Sequence, residues 1–237
     1  MTLALVSALP DELAGVMLAL QAGGARAERV GPRTFHRGTL HGQPVVAVLS
    51  GIGKVAAATT ATLLIERFGA SAIVFTGLAG GLGEGVRVGD VVVATELLQH
   101  DMNAEPLFPR HEVPGYGRSR FAADAALTAR LRDASAQALA AIAPAARVHS
   151  GLLLSGDRFV ATAAESGALR ARLPDALAVE MEGAAFAQVC HDHGVPLAVV
   201  RTVSDRADDE AHVDFPRFLR EVASRYSEAI FDRVLRG

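Results

Sequence analysis

The chain has no tryptophan and a single cysteine, Cys190, so no internal disulfide can brace it. With 10 phenylalanines and 2 tyrosines in 237 residues, aliphatic side chains must supply most of any core. Charge of one sign is also lacking. The 23 basic and 26 acidic residues leave a formal net charge of −3, without the basic excess that marks nucleic-acid binding. Long apolar runs are missing too. The uncharged stretch at 68–83 is Gly-rich and shorter than the ~18 apolar residues a membrane span requires. Residues 1–22 are rich in Leu, Ala and Val, yet no Lys or Arg precedes Arg26, and Pro10, Asp11 and Glu12 interrupt the run. Both features contradict a signal peptide. The expectation is a soluble, cytoplasmic protein with no membrane or nucleic-acid partner.

Half of the residues are hydrophobic, enough for one sizeable core and so for a single domain over 1–237. Short apolar runs at 3–7, 44–50, 72–78, 91–95, 151–155 and 197–203 predict strands. Several are continuously apolar, as strands covered on both faces are. Helices are expected at 11–20, 55–68, 123–141, 161–173, 182–193 and 215–235. This alternation predicts an α/β fold with helices packed around a mixed sheet. The irregular stretch 100–121, with Pro106, Pro109 and Pro114, is a candidate lid or subunit contact.

Several chemistries are excluded by their own requirements. The run SGIGK at 50–54 resembles the end of a P-loop, but Val55 replaces the required Ser or Thr. The Gly-rich run 77–85 never satisfies G-x-G-x-x-G, and no G-x-S-x-G elbow occurs. His191 and His193 beside Cys190 are two apart, so they do not share a helix face, and cations are ordinary at a helix end. No metal and no cofactor is expected.

Three acidic positions remain, each just past an expected strand, where open α/β sheets place ligands. Glu12 follows the first strand, although Pro10 and an acid are also ordinary helix-start chemistry. Glu180 and Glu182 lie in the run VEMEG at 179–183, where a further short apolar strand is expected to run into a helix and charge needs compensation, although helix-start preference is again an alternative. Asp205 ends the run RTVSD at 201–205 and could instead be a cap. Arg201, inside that strand with no local acid, is harder to explain as surface decoration.

Six ordered motifs carry a resemblance: SGIGKVAA at 50–57, TGLAGG at 76–81, VGDVVV at 88–93, SGDRF at 155–159, VEMEG and RTVSD. Together they resemble the nucleoside phosphorylase/nucleosidase superfamily, and within it the methylthioadenosine/S-adenosylhomocysteine nucleosidases, over essentially the whole chain. The resemblance implies a three-layer α/β/α domain around a central mixed β-sheet, assembled as a homodimer. It implies that Asp205, oriented by Ser204, protonates adenine N7. Glu182 would hold the ribose hydroxyls with Met181 against the sugar. Glu12, helped by Arg201, would deprotonate the attacking water. Phe159 would stack on the base, Val160 would read its edge through backbone groups, and Phe215 would line the 5′ pocket. Ile52, Leu78, Ala79, Gly80 and Glu180 would complete the binding wall. Phe108 and Pro114 would reach the neighbouring subunit's pocket.

The chemistry is coherent. Adenine leaves neutral once N7 is protonated, and carboxylates stabilise the oxocarbenium-like sugar. The segment 7–12 has no cation for phosphate and carries two acids, so water is the better-suited nucleophile. Leu78 stands where many family members carry Ser, and Arg158 is larger than expected beside Phe159. The alternatives are an aminodeoxyfutalosine nucleosidase, a purine nucleoside phosphorylase, and a non-catalytic nucleoside-binding protein.

Overall fold

A computed structural model describes residues 1–236. Strand β1 (Thr2–Ser7) pairs in parallel with β4 (Gln43–Leu49) and β5 (Ala70–Phe75). Beyond β4 lies an antiparallel hairpin, β2 (Arg26–Val30) and β3 (Arg33–Leu40). On the other side, the first half of β11 (Leu197–Asp205) pairs in parallel with β5. Farther along, β11 turns to two more partners. Val200–Thr202 run antiparallel to β7 (Val91–Gln99), and the last residues run parallel to β6 (Leu78–Gly81). Strands β10 (Ala176–Glu180), β9 (Val148–Ser155) and β8 (Arg120–Ala122) extend the mixed sheet from β6 and β7.

Side-chain alternation explains the continuously apolar strands. Ala4 and Val6 of β1 enter one apolar cluster and Leu5 the other; in β11, Leu197, Val199 and Val203 alternate likewise with Ala198 and Val200. Helices α2 (Lys54–Glu66) and α5 (Gly183–His193) contribute Ala57, Ala61, Leu64 and Phe186 to the first cluster. Helices α1 (Pro10–Ala22), α3 (Ala125–Ile142) and α7 (Ser224–Arg236) contribute Leu13, Leu131, Ile230 and Phe231 to the second. Helix α4 (Ala163–Arg172) starts with a reciprocal cap. Thr162 accepts from the Glu165 amide at 3.2 Å, and Glu165 accepts from the Ala161 amide at 3.3 Å.

The expected strands and helices are present with shifted ends, and four features differ. The hairpin at 26–40 was not expected, because its strands lie at the sheet edge and only Phe35 among them is fully buried. The expected strand 72–78 is split: β5 stops at Phe75 and β6 begins at Leu78. Strand β8 emerges from the end of the irregular stretch. The expected helix 215–235 is instead α6 (Ala211–Phe218), a π-helical turn (Leu219–Ala223) and α7, with Pro216 inside α6. Among the described residues, no helix is long and apolar enough to cross a membrane.

Candidate active site

A cavity of about 480 Å³ is walled by residues that follow the carboxyl ends of β1, β4, β9, β10 and β11, together with Leu78, Ala79 and Gly80 of β6. Four carboxylates line it, Glu12, Glu180, Glu182 and Asp205, all buried.

Glu12 belongs to the first turn of α1, where Pro10 presets the backbone. Its Oε2 accepts from the amides of Leu9 (2.9 Å) and Ala8 (3.0 Å), and Oε1 accepts from the Leu78 amide at 3.0 Å. Burial pushes its pKa up, against the Leu9 amide, the Arg201 charge and the amides of Leu78 and Ala8. The side chain of Leu78 therefore matters less to Glu12 than its backbone N–H. A Cβ at Gly77 would stand 3.0 Å from Glu12 Oε1, so the glycine lets the chain pass beneath the carboxylate.

Glu182 precedes the first turn of α5, and its Oε1 accepts the Gly53 amide at 2.8 Å. Burial, then the neighbouring Glu180, push its pKa up to about 8, with Arg201 and the Gly53 amide opposing. Glu180 also lines the cavity but is fully engaged below it. It accepts from Ser155 Oγ, from the amides of Glu182 (3.1 Å) and Gly183 (2.9 Å), and from Arg201 Nη2 at 2.6 Å. Arg201 lies outside the cavity lining, with its guanidinium 4.1 Å from the Phe75 ring centroid. Its hydrogen-bonded carboxylate is Glu180; it acts on Glu12 only through charge.

Asp205 ends β11. Its Oδ2 accepts from Ser204 Oγ at 2.7 Å and its Oδ1 from the Ala207 amide at 2.8 Å. Burial raises its pKa, helped by Asp208 and Asp214 and opposed by the Ser204 and Ala207 bonds. Ser204 is buried behind it, outside the lining. Gly80 is needed at its side: a Cβ there would meet Ala207 Cβ at 2.8 Å and Asp205 Oδ1 at 2.9 Å.

The apolar wall is completed by Ile52, Phe159, Val160, Met181 and Phe215. Phe159 and Phe215 meet edge to face, with centroids 5.7 Å apart. Arg158 also lines the cavity, but its largely exposed side chain pairs with Glu165 of the α4 cap. Phe108 and Pro114 do not line the cavity of this chain.

Sequence reasoning missed Ala8, Leu9, Val179, His212 and Pro216 in the lining. His212 was within reach, since it lies three residues before Phe215 and so shares its helix face. The acids and histidines at the end of α5 have local partners. His193 pairs with Glu66 at 3.0 Å, Asp192 accepts from Tyr116 at 2.9 Å, and His191 packs on Phe121.

The chain is similar to known proteins over almost its whole length. The phosphorylase superfamily profile matches residues 2–236. A 5′-methylthioadenosine/S-adenosylhomocysteine nucleosidase of Anoxybacillus flavithermus is 38% identical over 97% of this chain and 96% of its own. The crystal structure of the nucleosidase of that name from Neisseria meningitidis, in complex with methylthio-immucillin-A, has a TM-score of 0.88 and 36% identity, covering 99% of this chain and 98% of that one. Futalosine hydrolase of Helicobacter pylori is also similar, with a TM-score of 0.87 and 30% identity over 99% of this chain and 97% of that one. On sequence and on fold, the chain belongs to the phosphorylase superfamily and, within it, to the 5′-methylthioadenosine/S-adenosylhomocysteine nucleosidase family.

Proposed function

We propose that this protein hydrolyses the N-glycosidic bond of 5′-methylthioadenosine and S-adenosylhomocysteine, releasing adenine and the 5-thioribose product. The observation that carries the reading is the convergence of Glu12, Glu182 and Asp205 on one cavity with an apolar, aromatic wall.

Asp205, with its pKa raised by burial, holds a proton for adenine N7, and Ser204 orients it. Such general acid catalysis contributes about 10²–10⁴-fold. Base departure leaves a positively charged ribosyl centre. That charge draws Glu182 and Glu12 toward their ionised forms, which burial otherwise opposes. Glu182 accepts the ribose hydroxyls, with Met181 against the sugar. Glu12, a stronger base for its raised pKa, takes a proton from the water that attacks C1′ from the face opposite the base. Phe159 stacks on adenine, Val160 reads its edge, and Phe215 lines the 5′ side, with Ile52, Ala79 and Gly80 completing the wall.

Water rather than phosphate is supported by the charges. Among the described residues, Arg158 is the Lys or Arg that lines the cavity; it precedes Phe159, and its side chain pairs with Glu165. A phosphate dianion at C1′ would face carboxylates.

The chain reads as one domain with three layers, a reading supported by the two apolar clusters that alternate strand residues enter. We also read it as a cytoplasmic homodimer. The exposure of Ile52, Val55 and Leu107 supports a subunit contact near the 100–121 segment, from which Phe108 and Pro114 reach the partner's 5′ pocket.

Incubation with methylthioadenosine, with and without phosphate, tests the reading through free adenine and the sugar product. Phosphate-dependent formation of a sugar 1-phosphate overturns hydrolysis. A second reading, cleavage of a futalosine-type nucleoside, is favoured by the likeness to the Helicobacter pylori enzyme. Adenine release from aminodeoxyfutalosine but not from methylthioadenosine would select it.

A further inference from the structure

Two motif residues have no part in the chemistry above: Lys54, which closes the Gly-rich run 50–54, and Asp157 of SGDRF. Far apart in sequence, they are neighbours in the fold. The Lys54 amide donates to Asp157 Oδ1 at 2.7 Å. Lys54 Nζ donates to Asp101 Oδ1 at 2.6 Å and to Gln99 Oε1 at 3.1 Å. Asp101 Oδ2 accepts the Asp157 amide at 2.9 Å, which closes a ring through three separate segments. The ammonium is 3.9 Å from Asp157 Oδ2, and the Lys54 side chain is only 16% exposed.

Helix stability does not account for Lys54. It is the first residue of α2, where a positive charge opposes the helix dipole. The anion that such a terminus favours is supplied from another segment, by Asp157. Gly53 permits this approach: its φ is +93°, and a Cβ there would stand 3.1 Å from Asp157 Oδ1.

Two of the three segments tied by the ring carry part of the site. Ile52 lines the cavity, and the Gly53 amide holds Glu182 at 2.8 Å. Two and three residues beyond Asp157, Phe159 and Val160 also line the cavity. None of Lys54, Asp101 and Asp157 lines the cavity itself. We propose that these three residues form a clamp that sets the spacing between the 50–54 and 155–160 loops, and so act as positioning residues for Glu182 and Phe159.

The effect on turnover rests on the nucleosidase reading; the clamp itself can be read without substrate. Lys54→Met and Asp101→Asn are made separately and together in the full chain. Amide hydrogen exchange is followed without ligand, and kcat and KM are measured on methylthioadenosine. Each single variant is expected to raise exchange at 52–54 and 156–160 while the central strands stay protected. Both raise KM through Phe159 and lower kcat through Glu182. The fall in kcat/KM is of the order of 10²-fold, the scale of a small misplacement from outside the reacting groups. The double variant is no worse than either single one, because each opens the same ring.

Unchanged exchange at both loops overturns the clamp, as does a uniform rise across the sheet or failure of both single variants to fold. Either of the last two would make the ring a general stability element. If the unaltered protein does not cleave methylthioadenosine, the functional reading fails, while the exchange result still decides the clamp.

Discussion

Arg201 Nη2 lies 2.6 Å from Glu180 Oε2, and the two side chains are 1% and 2% exposed. The pair forms the buried floor beneath the candidate active site. Arg201 also lowers the pKa of both Glu12 and Glu182 through its charge, so one cation serves three carboxylates.

Removing that cation should therefore destabilise the fold. Arg201→Met leaves Glu180 buried and unpaired, which costs about 3–5 kcal/mol of stability. Pairing it with Glu180→Gln should recover part of the loss. Urea unfolding of the two variants checks this; equal stability of Arg201→Met and the unaltered protein would show that the pair contributes nothing.

Asp205→Asn keeps the shape and one acceptor, for the Ala207 amide, while its NH2 can donate to Ser204 Oγ in place of accepting from it; the acid is removed. Turnover should fall by about 10²–10⁴-fold, the usual contribution of a general acid. The melting temperature should stay close to that of the unaltered protein. Near-normal adenine release would remove Asp205 from the proposed role.

Glu182 gives a pH dependence of definite sign. Its folded pKa is raised from 4.5 to about 8, so the folded protein keeps a proton that the unfolded chain releases. This contribution to stability is full below the unfolded pKa and is lost as pH rises through the folded one. Between 4.5 and about 8, stability should decline with pH on account of this residue. Glu182→Gln should flatten that decline in denaturant titrations across the window. An identical slope in both proteins would show that Glu182 has no such shift.

Gly80→Ala tests the closeness of β6 to Asp205. The new Cβ would meet Ala207 Cβ at 2.8 Å and Asp205 Oδ1 at 2.9 Å, so Asp205 must shift. The overpacking should cost about 1–3 kcal/mol. The displaced acid should lower kcat by the order of 10²-fold. Retention of full kcat in a destabilised protein would separate packing from catalysis here.

Much of the fold was legible because it rests on side-chain periodicity. Strands covered on both faces show as apolar runs, as β1 and β11 do, and helices show their spacing. The hairpin β2–β3 left no such signal, since its residues lie at the edge and are mostly exposed. The break between α6 and α7 was equally silent, because α6, the π-helical turn and α7 follow one another with no intervening loop.

The sequence by itself determined the superfamily, the strand–helix alternation, and the candidate acids Glu12, Glu180, Glu182 and Asp205. Each depends on side-chain type and order along the chain. Only the tertiary structure decided the partners of those carboxylates: the Leu78 amide for Glu12, the Gly53 amide for Glu182, and Glu180 rather than Glu12 for Arg201. The reason is physical. A backbone N–H has the same chemistry at every non-proline residue, so nothing in a residue's identity says which amide a buried carboxylate will meet. The join of Lys54, Asp101 and Asp157 is of the same kind, since the sheet alone brings their segments together.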